Sequence, residues 1–163
     1  MNPKITQLSP KLLIGISAKT KMVDYAAPRL WQQFMPKRST IPHVVDHRNY
    51  SIQIHDEAYD FTQFTPQTSF TYWAATEVHK QDAIMDDTPF SYLEIPGGLY
   101  AVFLHKGTME TFYQTLQTFY MEWLPDSGYK VDQRPHFELL DERYLGHTNA
   151  DSQEEIWVPI TPN

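Results

Sequence analysis

The chain has 163 residues, of which 41% are hydrophobic, 14% aromatic and 20% charged, with no cysteine and a formal net charge of -7. This length suits one domain with a sizeable core, and the absence of cysteine excludes disulfides, thiolate nucleophiles and cysteine-ligated metal centres. The acidic balance, with no basic cluster larger than Lys37-Arg38, disfavours direct nucleic-acid binding and favours cationic partners. We expect a single cytoplasmic domain over residues 1–163, because residues 1–10 lack a signal-peptide core and no apolar run could cross a membrane.

The first half of the chain predicts the order β-α-β-β. An apolar run opens residues 12–20 and indicates a strand. Apolar residues at positions 27, 30, 31 and 34 then share one helical face, and Pro36 ends that helix. Alternation over residues 49–54 and the β-branched and aromatic run over residues 70–78 predict two further strands.

The second half predicts the same order. Residues 91–95 and 99–106 are β-like, and the aromatic face from Met109 to Trp123 keeps helical spacing until Pro125. Residues 137–140 and 154–160 predict the last strands. We therefore expect an α+β fold of two β-α-β-β repeats, about 5–80 and about 88–161, related by a pseudo-two-fold axis. Their antiparallel sheet should curve around a ligand groove, with two main helices packed on it.

The final strand, Glu155-Ile156-Trp157-Val158-Pro159-Ile160, carries two different faces. Its aliphatic residues should pack on the helices, while Glu155 and Trp157 share the opposite face. A carboxylate two residues from an indole can attract a cation by charge and hold it by ring contact. A solvated Glu155 beside a partly covered Trp157 is the structural alternative.

Other aromatic residues are further candidates for the ligand groove. Tyr72 and Trp73 are adjacent on a strand and must face opposite sides, and the pattern leaves open which of them faces the groove. The remaining candidates are Trp31, Tyr50 and Tyr92.

Signals for metal or cofactor chemistry are weak. His43 and His47 lie in an extended segment and lack the common face of a helical metal pair, and no phosphate loop, nucleophile elbow or zinc-protease motif is present. We expect no metal and no cofactor. The acidic pairs beside turns, Asp56-Glu57, Asp86-Asp87 and Asp141-Glu142, are interpreted as solvated loop charges.

Four segments resemble a known family. YLEIPGGLYAVF at residues 92–103 and EIWVPI at residues 155–160, with LWQQF at residues 30–34 and YWAATEV at residues 72–78, are similar to the GyrI-like, AraC-type effector-binding domains, which have a SOUL-like fold. The resemblance implies a concave groove for hydrophobic, often cationic compounds, with Glu155 at the family's groove glutamate and Trp157 at the aromatic beside it.

Three functions follow from this resemblance. The leading one is a stand-alone sensor or sequestering protein that binds a small hydrophobic or cationic ligand and is related to the ligand domains of transcription regulators. Since no helix-turn-helix precedes the first repeat, DNA would be contacted by another polypeptide. The alternatives are a hydrolase of cyclopropanoid or other electrophilic compounds with Glu155 as general base, and a protein-interaction module such as a gyrase inhibitor.

Overall fold

A computed structural model describes residues 1–82 and 88–163 of the chain. Within these residues the helices are α1 (Ala27–Phe34), α2 (Met109–Thr118) and the single turn α3 (Leu124–Asp126). A 3-10 segment, Met35–Thr40, continues directly from α1. The strands are β1 (Lys4–Leu8), β2 (Lys11–Thr20), β3 (Val44–Ile54), β4 (Phe70–Val78), β5 (Ser91–Ile95), β6 (Gly98–Lys106), β7 (Tyr129–Val131), β8 (His136–Leu140) and β9 (Gln153–Pro162).

The strands form one antiparallel sheet whose order confirms the predicted repeat. The order is β1-β6-β9-β8-β3-β4-β2-β5, with β7 paired to β9 outside this path. The units β2-α1-β3-β4 and β6-α2-β8-β9 are therefore mirrored about the β8–β3 junction, where the pseudo-two-fold axis passes. The strand before each unit crosses to the other half, since β1 pairs with β6 and β5 pairs with β2. This exchange ties the two halves together.

The two faces of the sheet bury different residues. On the helix face, which carries α1 and α2, Leu30 and Phe34 of α1 pack on β2 and β4, and Phe119 packs on β6 and β9. On the opposite face, residues of both halves such as Tyr50, Tyr100 and Phe137 form a third core. The α+β fold class and the two helices on a curved antiparallel sheet are confirmed.

The helix of the second repeat is less regular than its sequence pattern predicts. One continuous helix was expected up to Pro125, but α2 ends at Thr118 and a π-helical turn, Phe119–Trp123, follows before α3. The wider turn keeps Phe119 and Trp123 stacked at 5.1 Å between ring centroids, and Phe119 stacks on Phe103 at 4.5 Å. Pro125 lies in the first turn of α3, where a missing backbone N–H is tolerated.

Two further features differ from the sequence-based expectation or lie outside the described residues. Strand β1 was not anticipated because its residues are mostly polar, as suits a strand at the edge of a sheet. Asp86 and Asp87 lie outside the described residues. Among the helices that the structure describes, none is both long and apolar enough to cross a bilayer.

Gly15 is required where β2 passes between β4 and β5. A Cβ atom at this position would lie 2.1 Å from the carbonyl oxygen of Ala74 and 2.7 Å from the Cβ of Ala75. We expect Gly15→Ala to lower the free energy of unfolding by roughly 2 to 4 kcal/mol, because backbone must move to make room. Chemical denaturation would measure the loss, with Ser17→Ala on the exposed part of β2 as control. An equally small effect of both changes would contradict the close packing at Gly15.

Candidate functional site

A cavity of about 1000 Å³ lies on the helix face, between α1 and α2. Its floor is formed by the central strands β3, β4, β8 and β9, the strands nearest the pseudo-two-fold axis. Each helix packs on two strands of its own repeat, α1 on β2 and β4 and the helix of the second repeat on β6 and β9, and the cavity lies between them. The groove predicted at the junction of the repeats is therefore present, and it is large enough for a drug-sized molecule.

The walls of the cavity are aromatic. Tyr25 and Trp31 stand on the α1 side, and Tyr113 and Tyr120 stand on the α2 side. The segment between β3 and β4 covers one end with Phe61, which stacks on Tyr120 at 5.1 Å between ring centroids. Such rings offer broad apolar surfaces whose electron-rich faces attract cations.

The floor is a strip of polar side chains whose position follows from strand alternation. Ser51 and Gln53 of β3, Tyr72 of β4, Glu138 of β8 and Glu154 of β9 all line the cavity. Their sequence neighbours Tyr50, Ile52, Trp73, Phe137 and Leu139 point into the core of the opposite face. On β3, β4 and β8, apolar residues of the opposite face thus alternate with the polar residues on the groove side.

Hydrogen bonds order much of this strip. The Tyr72 hydroxyl lies 2.6 Å from Ser51 Oγ and accepts a hydrogen bond from Trp31 Nε1 at 2.8 Å. Gln53 Nε2 donates to Glu138 Oε1 at 3.3 Å. Trp31 and Tyr72 are therefore held in place across the gap between α1 and the sheet.

Glu138 and Glu154 are close enough to influence each other. Glu138 pairs across the ladder with Ile156, two residues from Glu154 and on the same face, so the two carboxylates are diagonal neighbours. Burial raises the pKa of Glu154 from 4.5 to about 7. Burial, followed by the negative charge of Glu154, raises the pKa of Glu138 well above its usual range, and the bond from Gln53 offsets this only in part. No described residue that lines the cavity is Lys or Arg.

The floor ends at a cluster of neutral rings. His55 and His136 lie 5.0 Å apart between ring centroids, and Tyr59 lies 4.6 Å from His55. Burial lowers the pKa of His55 to about 4 and holds the pKa of His136 well below its usual range. Both imidazoles are therefore uncharged at neutral pH, so the negative charge of the floor is carried by the carboxylates.

The structure brings only part of the sequence-predicted site together. Trp31, Tyr72 and Trp157 are among the residues that line the cavity, whereas Glu155, Tyr50 and Tyr92 are not.

Tyr72 is the member of the Tyr72-Trp73 pair that faces the groove, because Trp73 packs in the core of the opposite face. Tyr50 also packs there, and burial raises its pKa. Tyr92 packs beside the α1 core, and its hydroxyl accepts a hydrogen bond from the backbone N–H of Asp82 at 3.0 Å.

Glu155 lies on the sheet face opposite to the cavity floor. It accepts hydrogen bonds from Trp157 Nε1 at 3.0 Å and from Arg143 Nη2 at 3.2 Å. The Trp157 indole stacks on Phe137 at 5.2 Å between ring centroids. As the alternation of β9 predicted, Glu155 and Trp157 share one face of the strand, opposite to its aliphatic residues. The groove is on the aliphatic side, because α1 and α2 lie on that side of the sheet and flank the groove.

Glu138 and Glu154 were not identified from the sequence. Glu154 has the same alternation phase as Ile156 and Val158, so the pattern of β9 contained a signal for it. Glu138 stands between two apolar residues of β8, and its position on the floor depends on the pairing of β8 with β3 and β9. Asp141 and Glu142, interpreted as solvated loop charges, lie in the cavity lining as well.

Comparisons with known proteins agree with this architecture. The model of the family described as the GyrI-like small molecule binding domain matches residues 1–161. The transcriptional regulator BrlR of Pseudomonas aeruginosa is 26% identical over 132 residues, which are 81% of this chain and 45% of that regulator. The chain thus spans about half the length of this relative.

Two solved structures share the fold over nearly the whole chain. SAV2435 bound to tetraphenylphosphonium superposes with a TM-score of 0.66 at 17% identity, covering 99% of this chain and 94% of that one. The C-terminal domain of EcmrR superposes with a TM-score of 0.68 at 15% identity, covering 99% and 98%. The match over residues 1–161 establishes that the chain belongs to the GyrI-like small molecule binding domain family.

Proposed function

We propose that this chain binds lipophilic cations in the groove between α1 and α2 and acts as a ligand-sensing or ligand-sequestering domain. The observation that carries the proposal is a cavity of about 1000 Å³ that contains two partly buried carboxylates and, among its described lining residues, no Lys or Arg. An apolar aromatic cavity alone would suit neutral molecules. Carboxylates without basic partners favour a ligand that brings its own positive charge.

Different residues of the groove would contribute the charge and the ring contacts that hold the cation. Glu138 and Glu154 supply the charge from the floor, and Trp31 and Tyr72 supply ring faces beside it. The hydrogen bond between Trp31 and Tyr72 fixes both rings before the ligand arrives, which lowers the entropic cost of binding. The role predicted for Glu155 from the sequence remains a competing proposal, because Glu155 is also an acidic residue of β9.

The relatives support a regulatory setting. One relative is a transcriptional regulator, and one structural neighbour has tetraphenylphosphonium bound. The net charge of -7 argues against direct contact with nucleic acid by this chain. We infer that any effect on transcription is carried by a DNA-binding domain outside residues 1–163, and that the protein acts in the cytoplasm.

Calorimetric titration with tetraphenylphosphonium tests the proposal, with triphenylphosphine oxide as a neutral analogue of similar ring content. We expect the cation to bind at least tenfold more tightly than the neutral compound. Glu154→Gln should weaken cation binding by roughly 10- to 100-fold, since a charge contact with the ligand in the groove contributes about 1.5 to 3 kcal/mol. Neutral-compound affinity should stay the same in the variant.

Glu155→Gln is the informative comparison variant. We expect it to bind the cation within about twofold of the wild type, because its carboxylate faces Arg143 and Trp157 instead of the cavity. A loss confined to Glu155→Gln would assign the charge to the other face of the sheet. Absence of binding by any lipophilic cation would contradict the proposed function and favour a protein partner.

A further inference from the structure

Among the described residues, no Lys or Arg lines the cavity that contains the two carboxylates of the floor. Glu138 receives one hydrogen bond, from the uncharged amide of Gln53. The nearby guanidinium of Arg143 is engaged by Asp141 and Glu155 at 2.7 and 3.2 Å. Two acids on diagonal positions of neighbouring strands therefore line one groove in which no described lining residue is a Lys or Arg.

Such a pair gives up its protons in two separate steps. The first carboxylate ionises near neutral pH, as the pKa of about 7 for Glu154 indicates. Ionisation of the second places two negative charges side by side in a buried site, so it needs a higher pH or a ligand. A ligand with one positive charge compensates one carboxylate, whereas a ligand with two can compensate both.

We propose that the Glu138–Glu154 pair makes the groove a site for dications, that is, aromatic or amphipathic molecules with two cationic centres, whose binding displaces the proton that the pair retains. Resting on the proposed function, this inference names the ligand class of the same groove. Diagonal cross-strand neighbours are roughly 7 to 8 Å apart, so the two centres should be separated by a similar distance.

The other titratable groups near the pair do not change their charge between pH 7 and pH 9, so a pH dependence of binding in this range comes from the two carboxylates. Those that face the pair are Tyr72 from β4, Tyr25 and Tyr144 from flanking loops, Tyr120 from the π-helical turn and His136 from β8. Burial raises the pKa of each tyrosine and lowers the pKa of the histidine, so all five remain uncharged between pH 7 and pH 9. At the mouth, Asp141 and Glu142 have lowered pKa values and remain ionised.

Propidium and ethidium provide a matched pair of probes, because they share one ring system and carry two charges and one charge. Their affinities can be measured by fluorescence titration at pH 7 and pH 9. We expect the ratio of propidium to ethidium affinity to rise about 10- to 100-fold over this range, because one additional proton must leave for the dication and each pH unit then changes the ratio by up to tenfold. Calorimetry in two buffers of different ionisation enthalpy should show that propidium releases more protons than ethidium.

Variants distinguish the effect of the Glu138–Glu154 pair on the affinity ratio from the effect of the overall negative charge of the protein. In Glu138→Gln and in Glu154→Gln, the affinity ratio should no longer change with pH. In Glu122→Gln, which removes an exposed charge from the π-helical turn, it should rise as in the wild type. His47 and His147, at the mouth of the cavity, are present in the wild type and in all these variants, so they cannot cause a difference between them.

Each outcome distinguishes this inference from the proposed function. Ethidium binding with an affinity ratio that is the same at both pH values, or that still rises in Glu138→Gln, would overturn the dication site and leave cation binding in place. Failure of ethidium, propidium and tetraphenylphosphonium to bind would overturn both.

Discussion

Glu154→Gln is expected to stabilise the free protein at pH 8 while it weakens cation binding. Burial raises the pKa of Glu154 from 4.5 to about 7 in the folded chain. A carboxyl whose pKa is raised on folding stabilises the fold fully below pH 4.5, and this contribution is lost as the pH rises through 7. At pH 8 the wild type must keep a charge in the groove that the unfolded chain would place in water. The neutral amide removes this cost.

The expected gain is about 2 to 3 kcal/mol in the free energy of unfolding at pH 8, which corresponds to about 4 to 10 °C in melting temperature for a chain of this size. At pH 4 the two proteins should have nearly equal stability. Thermal unfolding across this pH range measures the difference, with Glu122→Gln as the exposed control. A variant that is less stable than the wild type at pH 8 would show that a group of the protein itself compensates the negative charge of Glu154 in the absence of a ligand.

Saturating tetraphenylphosphonium should reverse the order of stability. The wild type gains stability from the bound cation by mass action, whereas the variant gains less. A residue that lowers the stability of the free protein and raises that of the complex is expected at a binding site, where selection acts on function.

Element order and burial faces could be predicted from the sequence because both depend on local spacing. The 3.6-residue pattern of α1 and the alternation along β9 identified which side chains are buried together. The sequence could not show that β1 and β5 each cross to the other half, because these pairings join residues about 80 to 100 positions apart in the chain. Such distant pairings leave no periodic signal.

The same limit explains why Glu155 was selected and Glu138 was not. Alternation assigns Glu155 and Trp157 to one face of β9, but it carries no information on which face meets a cavity. That depends on where α1 and α2 pack, which in turn depends on the order of all strands in the sheet. Glu138 joins the floor only because β8 lies between β3 and β9.

Two tryptophans provide the sharpest test of which face binds the ligand. Trp31 lines the cavity and donates its N–H to Tyr72 at 2.8 Å. We expect Trp31→Ala to weaken tetraphenylphosphonium binding by about tenfold or more, since one aromatic face against a desolvated cation contributes roughly 1 to 2 kcal/mol. Its effect on stability should be smaller than that of Trp157→Ala, because one side of the ring faces the open cavity.

Trp157 is also among the residues that line the cavity, but its indole packs in the core of the opposite face of the sheet, so Trp157→Ala should show the opposite pattern. The indole stacks on Phe137, meets Tyr100 edge-on at 5.9 Å and donates to Glu155, so its removal should cost about 3 kcal/mol of stability. Tetraphenylphosphonium affinity, measured by calorimetry at a temperature where the variant is folded, should remain within about threefold of the wild type. If Trp157→Ala lost affinity and Trp31→Ala kept it, the ligand would lie on the Glu155 face. Opposite rankings of the two variants in stability and affinity would instead separate the residues that hold the sheet together from those that recognise the cation.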